Sequence, residues 1–96
     1  MGAYRFKALA PRTVCKDGTS LSVQASGTHY CLPRDHDGPY THVEVGYLQG
    51  PDGKGRTAPR SWSEYGDGDG VSSSVFGYVP VELVERFIKR HGGRTR

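Results

Sequence analysis

The sequence predicts a small α+β protein, a twisted antiparallel sheet of about five strands with one C-terminal helix packed on one face. Three observations predict this class. The chain has 96 residues, which suffices for one modest core. Glycine accounts for 14 residues and hydrophobic residues for only 34%, as is typical of a loop-rich sheet protein. The clearest helical periodicity lies at the C-terminal end. We therefore expect a single domain over residues 1–96.

The first strands are predicted from weak alternation and from one turn signal. Residues 3–9 alternate and are predicted to form a strand that ends before Pro11. Asp17-Gly18 is typical of a turn between a strand that ends near Cys15 and one that begins near Thr19. In a simple meander, Cys15 and Cys31 would lie on strands that flank one central strand. That separation exceeds disulfide reach, so we expect free thiols.

Residues 21–34 are the most informative segment, because they predict a tight hairpin around a Ser26-Gly27 turn. Strand alternation sorts the side chains of this hairpin into two faces. The apolar face carries Leu21, Val23, Ala25, Tyr30 and Leu32. The opposite face carries Ser22, Gln24, His29 and Cys31. A hairpin needs the first set for the core, whereas nothing structural requires the second, so the second face is a candidate site.

The rest of the chain predicts two further strands, a long loop and a helix. Residues 40–48 alternate, with Val43, Val45 and Tyr47 on one face and Tyr40 and His42 on the other. The Gly-rich loop over 49–73 contains a capping-box pattern at 61–64, which predicts one helical turn held to the body by Trp62 and Tyr65. Residues 74–79 form the last predicted strand. The helix follows from Pro80 to near His91, with an apolar stripe of Val81, Leu83, Val84, Phe87 and Ile88. Gly92 is expected to end it, and 92–96 form a basic tail.

Charge and hydropathy restrict the partners. The net charge of +3 is compatible with an anionic ligand but is weak for a dedicated nucleic-acid binder, so direct nucleic-acid binding is not expected. No stretch approaches the length of a membrane span, and the N-terminus lacks a secretory apolar region. We therefore expect a cytoplasmic protein with no membrane partner.

The motifs favour binding over catalysis. Structural metal sites bring ligands in closely spaced pairs, which this chain lacks, so no metal or other cofactor is expected. His29 and Cys31 could place a base near a thiol, which leaves a small hydrolase as an alternative. The ligand-binding hypothesis instead uses polar groups that a rigid strand pair would hold, aromatic rings for stacking, and a guanidinium for phosphate or carboxylate. Its residues are Ser22, Gln24, His29, Tyr30, Arg34, Tyr40 and His42.

Several of these residues also carry a resemblance. The segments SVQAS (22–26), HYC (29–31), PR (33–34), VEVG (43–46), GYVP (77–80) and HGG (91–93) resemble a family of small proteins found in phages and prophages. The similarity covers most of the chain from Leu21 onward, except the loop from Gln49 to Gly70. It implies an origin, a phage accessory protein that works in the bacterial host cytosol, and no established activity.

Small accessory proteins without a catalytic motif often act by binding, which predicts a role in counter-defence. The protein could sequester a nucleotide-derived immune signal, an anionic small molecule, with oligomerisation helping to enclose it. It could instead mask a host defence protein such as a CRISPR effector. A virion or assembly component is a further alternative.

Overall fold

Four antiparallel strands form one sheet in the order in which they follow each other along the chain. The computed structural model describes residues 11–26, 28–35 and 38–95. The strands are β1 (Thr13–Val14), β2 (Ser20–Gln24), β3 (His42–Gln49) and β4 (Val75–Pro80). The helix α1 (Val81–Arg90) follows β4 directly, and two 3-10 helices, Arg60–Tyr65 and Gly70–Ser72, lie between β3 and β4. The predicted α+β class is confirmed, with four strands in the described part of the chain where about five were expected.

The core lies between the sheet and α1. In the sheet register, Val45 faces Val23 on one side and Phe76 on the other, and all three are buried. The helix contributes the predicted stripe, of which Val81, Val84, Phe87 and Ile88 are buried. Trp62 joins the two layers, since its ring centroid lies 5.7 Å from that of Phe76 and 5.3 Å from that of Phe87.

Several predicted turns and ends are also confirmed. Gly18 has φ +93°, and the Asp17 carboxylate accepts a hydrogen bond from the Thr19 amide at 2.9 Å, which closes the turn between β1 and β2. Gly92, with φ +94°, follows the last turn of α1. A helical turn does form at 60–65, but Pro59 precedes it without a side-chain cap, so the predicted capping box is wrong. The strand predicted over 3–9 lies outside the described residues.

The predicted hairpin is wrong. β2 pairs with β3, and residues 28–32 form no strand; Leu32 makes only a single bridge, to His42. β3 has eight residues and offers β2 a longer ladder than the segment after residue 27 could. Pro33 lacks an N–H, so it could not have continued pairing there.

Because the predicted hairpin does not form, the buried side chains differ from those expected. Tyr30 and Leu32, both expected in the core, are 51% and 44% exposed. Cys31, expected on the polar face, is completely buried, because the segment no longer follows strand alternation. Tyr40, expected on the outer face of its strand, is also buried, at 3% exposure.

Two β-bulges distort the sheet, and each displays a tyrosine. The register of β3 against β2 shifts between Ser20 and Ser22, and that of β4 against β3 shifts between Val43 and Val45. Tyr47 and Tyr78 lie in the extra-residue stretches with φ of 54° and 56°. The bulge turns Tyr47 outward to 58% exposure, so its predicted place on the inner face is wrong.

The C-terminal tail packs along β1. The Thr95 amide donates to the Val14 carbonyl at 2.9 Å, and the Lys16 amide donates to the Gly93 carbonyl at 2.9 Å. The Arg94 guanidinium contacts the Glu85 carboxylate through two hydrogen bonds, of 3.0 and 2.7 Å. Among the described residues, no helix is long and apolar enough to cross a membrane.

Candidate ligand-binding groove

The face of the sheet opposite α1 carries much of the predicted polar set. Register places Ser22 beside Gly46 and Gln24 beside Glu44. These positions alternate with the buried row of Val23 and Val45, so their side chains lie on the other face of the sheet. The Gln24 amide donates to the Ser22 hydroxyl at 3.1 Å. The predicted polar face is therefore present, but the strand beside β2 on this face is β3 and not the segment after residue 27.

Tyr30 contacts this face of the sheet and the outer edge of β4. Its amide donates to the Glu44 carboxylate at 3.1 Å, and its carbonyl accepts from the Tyr78 amide at 3.0 Å. A Cβ atom added at Gly77 would lie 3.0 Å from the Tyr30 Cβ, so Gly77 permits Tyr30 to pack closely on β4. The ring centroids of Tyr30 and Tyr78 are 5.9 Å apart and their planes are tilted by 37°.

A groove of about 450 Å³ opens between these two tyrosines and the end of the first 3-10 helix. Its walls are aromatic and acidic, formed by Tyr30, Glu64, Tyr65, Gly66, Asp67, Val75, Gly77 and Tyr78. Among these lining residues the charged ones are Glu64 and Asp67, both exposed carboxylates. The groove therefore combines three aromatic side chains with two negative charges, an environment that favours a cation.

Arg34 lies at the side of this groove. Its guanidinium carbon is 5.6 Å from the centre of the Tyr30 ring, a cation–π geometry. The exposed Arg34 therefore shows that the Tyr30 face accepts a guanidinium, and it leaves this guanidinium accessible to an anion at the rim.

The other predicted site residues do not converge on the groove. The buried Tyr40 donates its hydroxyl to the Asp35 carbonyl at 2.7 Å, which is a structural role. The His29 Nδ1 lies 2.6 Å from the Ser26 hydroxyl. The His42 Nδ1 lies 2.9 Å from the Thr41 hydroxyl, and His42 is half-buried on the outer face at the start of β3.

The geometry does not support His29 and Cys31 as a catalytic pair. The Cys31 thiol is buried, and its sulfur lies 3.1 Å from the Ser26 carbonyl oxygen, the nearer acceptor, and 3.5 Å from that of Pro33. A thiol held in the core in this way cannot reach a substrate without a local opening. In the part of the chain that the structure describes, no three His, Cys, Asp or Glu side chains cluster as metal ligands would.

Sequence reasoning missed Tyr65, Gly77 and Tyr78 as groove residues. The sequence did contain one signal, the glycine at position 77 inside a strand pattern. Such a glycine is typical of a bulge or of a close approach by another part of the chain. Gly77 shows both features. Tyr65 and Asp67 carried no such signal, since they reach the groove through the fold of the long loop.

Comparisons with known proteins supply no relative from which a function could be transferred to this groove. No protein-family model, no curated protein and no solved structure matches the chain significantly.

Proposed function

We propose that this protein is a non-catalytic binding protein whose tyrosine groove receives a cationic side chain, arginine or lysine, of a partner protein. The observation that carries the proposal is the composition of the groove, in which Tyr30, Tyr65 and Tyr78 lie beside the carboxylates of Glu64 and Asp67. Aromatic faces attract a guanidinium or ammonium group, and a carboxylate adds a charge-assisted hydrogen bond.

The backbone around Tyr78 supports a binding role. A bulky residue with φ of 56° is an outlier that costs on the order of 1–3 kcal/mol, and such outliers concentrate at functional sites. The bulge gives Tyr78 a fixed direction, and Tyr30 packs beside it. A groove arranged before the partner arrives loses less entropy on binding.

The setting that we propose is counter-defence inside a bacterium, in keeping with the resemblance to small phage proteins. CRISPR effectors hold nucleic acid in channels rich in lysine and arginine. A protein that engages one such side chain in an acidic, aromatic groove would mask part of that channel. The exposed tyrosines around the groove suit a protein interface, where this residue type is enriched.

The test begins with the groove and a simple probe. Titration with N-acetylarginine amide, followed by NMR, should shift the amide signals of 64–67 and 75–78. Tyr78→Leu should abolish the shifts, whereas Tyr47→Leu changes a tyrosine of the same backbone conformation outside the groove and should leave them intact. Equal loss in both variants, or no saturable shift, would contradict the proposal. A purified CRISPR effector is the second probe, and binding to it should depend on Tyr78 in the same way.

A second candidate, sequestration of a nucleotide-derived signal, is favoured by the exposed Arg34 stacked on Tyr30. In that case a base would stack in the groove and Arg34 would hold the phosphate at the rim. A thermal-shift screen with cyclic dinucleotides and ADP-ribose derivatives tests this: a bound nucleotide should raise the melting temperature, and Arg34→Ala should abolish the rise.

The two candidate functions predict opposite changes in binding affinity for one further variant. Replacing Glu64 and Asp67 by their amides removes the negative charges beside the rings. This double variant should weaken binding of a cationic side chain and strengthen binding of a nucleotide, because the carboxylates attract the first and repel the second.

A further inference from the structure

A second cavity lies outside the tyrosine groove and has the opposite electrostatic character. It measures about 320 Å³ and is bounded by the end of β3, by residues 55–57 and by residues 72–74. Its lining is polar and rich in hydroxyl groups: Tyr47, Leu48, Gln49, Gly55, Arg56, Thr57, Ser72, Ser73 and Ser74. Arg56 is the charged residue of this lining. We propose that this cavity binds a phosphate group.

The backbone of Arg56 is fixed against β3, and its guanidinium packs beside Gly50. The Arg56 amide donates to the Leu48 carbonyl at 2.9 Å, which fixes the residue against β3. A Cβ atom at Gly50 would lie 2.4 Å from the guanidinium carbon of Arg56, so the guanidinium packs closely against Gly50. A guanidinium positioned in this way offers a planar fork of donors to the oxygens of a phosphate.

The internal partner of Arg56 is weak. Its Nη2 lies 3.5 Å from the Asp52 carboxylate, and the two side chains are 49% and 48% exposed. An exposed pair of this kind contributes little to stability, because water screens the two charges. The Asp52 carboxylate also accepts the Lys54 amide at 3.0 Å, so it has another partner when an anion attracts Arg56.

Further positive charge lies near the cavity. Arg12 donates to the Tyr47 carbonyl at one edge, and Lys54 precedes Arg56 by two residues. Asp52 is the acidic group in this neighbourhood that contacts Arg56. The hydroxyl groups of Thr57, Ser72 and Ser74 belong to exposed residues of the cavity wall and can donate to phosphate oxygens. The cavity wall therefore carries one guanidinium and several hydroxyl groups, and Arg12 contacts the backbone of one wall residue.

The ligand can be free phosphate or a phosphoryl group carried by a larger molecule, and NMR titration separates the two. Inorganic phosphate and AMP are added at constant ionic strength, with adenosine as the neutral control. Saturable shifts in 47–49, 55–57 and 72–74 are expected. Tighter binding of AMP than of phosphate would identify a phosphorylated molecule as the ligand, and equal binding would identify phosphate itself.

Variants separate a built site from general attraction by a basic surface. Arg56→Gln should weaken phosphate binding by about tenfold, equivalent to about 1.4 kcal/mol. Arg60→Gln removes the same charge from an exposed residue outside the cavity lining and should leave binding unchanged. Equal weakening by both variants would overturn the proposal, as would the absence of saturable shifts in the cavity residues. Because the tyrosine groove shares no lining residue with this cavity, Tyr78→Leu should not affect phosphate binding.

Discussion

At the scale of single residues, the two tyrosines with positive φ are the clearest departures from ordinary backbone geometry. Tyr47 and Tyr78 share a φ near 55°, as their values of 54° and 56° indicate, and both are exposed. An exposed side chain gains little from packing, so burial in the core does not offset this backbone strain. Such residues are candidates for a trade between stability and binding.

Replacement of Tyr47 tests this trade. Asparagine tolerates the left-handed region better than tyrosine, so Tyr47→Asn should raise the free energy of unfolding by about 0.5–1 kcal/mol. Urea denaturation measures the change. A clear loss of stability would mean instead that the Tyr47 ring makes a stabilising contact that offsets the backbone strain.

A second prediction at this scale concerns Gly77. Gly77→Ala places a methyl group 3.0 Å from the Tyr30 Cβ, so Tyr30 must shift and the groove must change shape. We expect a cost of about 1 kcal/mol in stability and weaker binding of the arginine probe. Gly55→Ala is the matched control, because a Cβ atom there meets nothing within 4 Å. Unchanged binding in the Gly77 variant would show that the position of Tyr30 does not matter.

At the scale of elements, the helix was the part most open to prediction. Val84, Phe87 and Ile88 recur at helical spacing, and the hydrophobic effect alone decides which face they present. The last strand was also predicted, over 74–79, and β4 spans Val75–Pro80. The hairpin failed because alternation fixes which residues share a face of a strand but does not choose the partner strand. That choice depended on β3, which lies far along the chain.

The helix should therefore respond to substitution as a core element does. Ile88 is 2% exposed, so Ile88→Ala should lower the free energy of unfolding by about 3 kcal/mol and Ile88→Val by about 1 kcal/mol. Leu83→Ala alters a partly buried side chain of the same helix and should cost less. Chemical denaturation ranks the three variants, and a larger cost at Leu83 than at Ile88 would contradict the packing.

At the scale of the whole molecule, both edges of the sheet are covered. The tail at 93–95 lies along β1, while Tyr30 and Gly66 contact the outer edge of β4. Covered edges reduce pairing between copies. The candidate site depends on this covering, because Tyr30 and Tyr65 come from the segments that close the β4 side. Local periodicity placed Tyr30 on the apolar face of a hairpin, so the sequence offered Tyr30 as a candidate through its aromatic ring and could not locate its neighbours.

A hydrogen bond between His91 and Asp17 connects the end of the helix to the first turn, and the Asp17 carboxylate makes stability depend on pH. The His91 Nδ1 lies 2.6 Å from the Asp17 carboxylate. The pKa of Asp17 is lowered from its ordinary value of 3.8, first by the hydrogen bond from the Thr19 amide and then by that from His91. Because the folded pKa is below the unfolded one, this contribution is present above pH 3.8 and is lost as the pH falls through the folded pKa.

Asp17→Asn should therefore flatten the loss of stability in this acidic range. Urea denaturation at neutral pH and at several values below 3.8 measures the slope. Asp67→Asn, which removes a carboxylate from the groove on another part of the surface, serves as the control. If both variants change the slope equally, the effect comes from net charge and not from the contact with His91.

The two buried cysteines give the molecule internal reporters of motion. Cys15 lies beside Arg94 of the tail and Cys31 lies in the segment that carries Tyr30, and burial raises the pKa of the Cys15 thiol. A thiol reagent can modify either residue only when its surroundings open, so the labelling rate measures the free energy of that opening. Shortening the tail should accelerate labelling of Cys15 more than that of Cys31, whereas a ligand in the tyrosine groove should slow labelling of Cys31. Mass spectrometry of the peptides that contain Cys15 and Cys31 would then follow the two edges of the sheet separately, without any introduced cysteine.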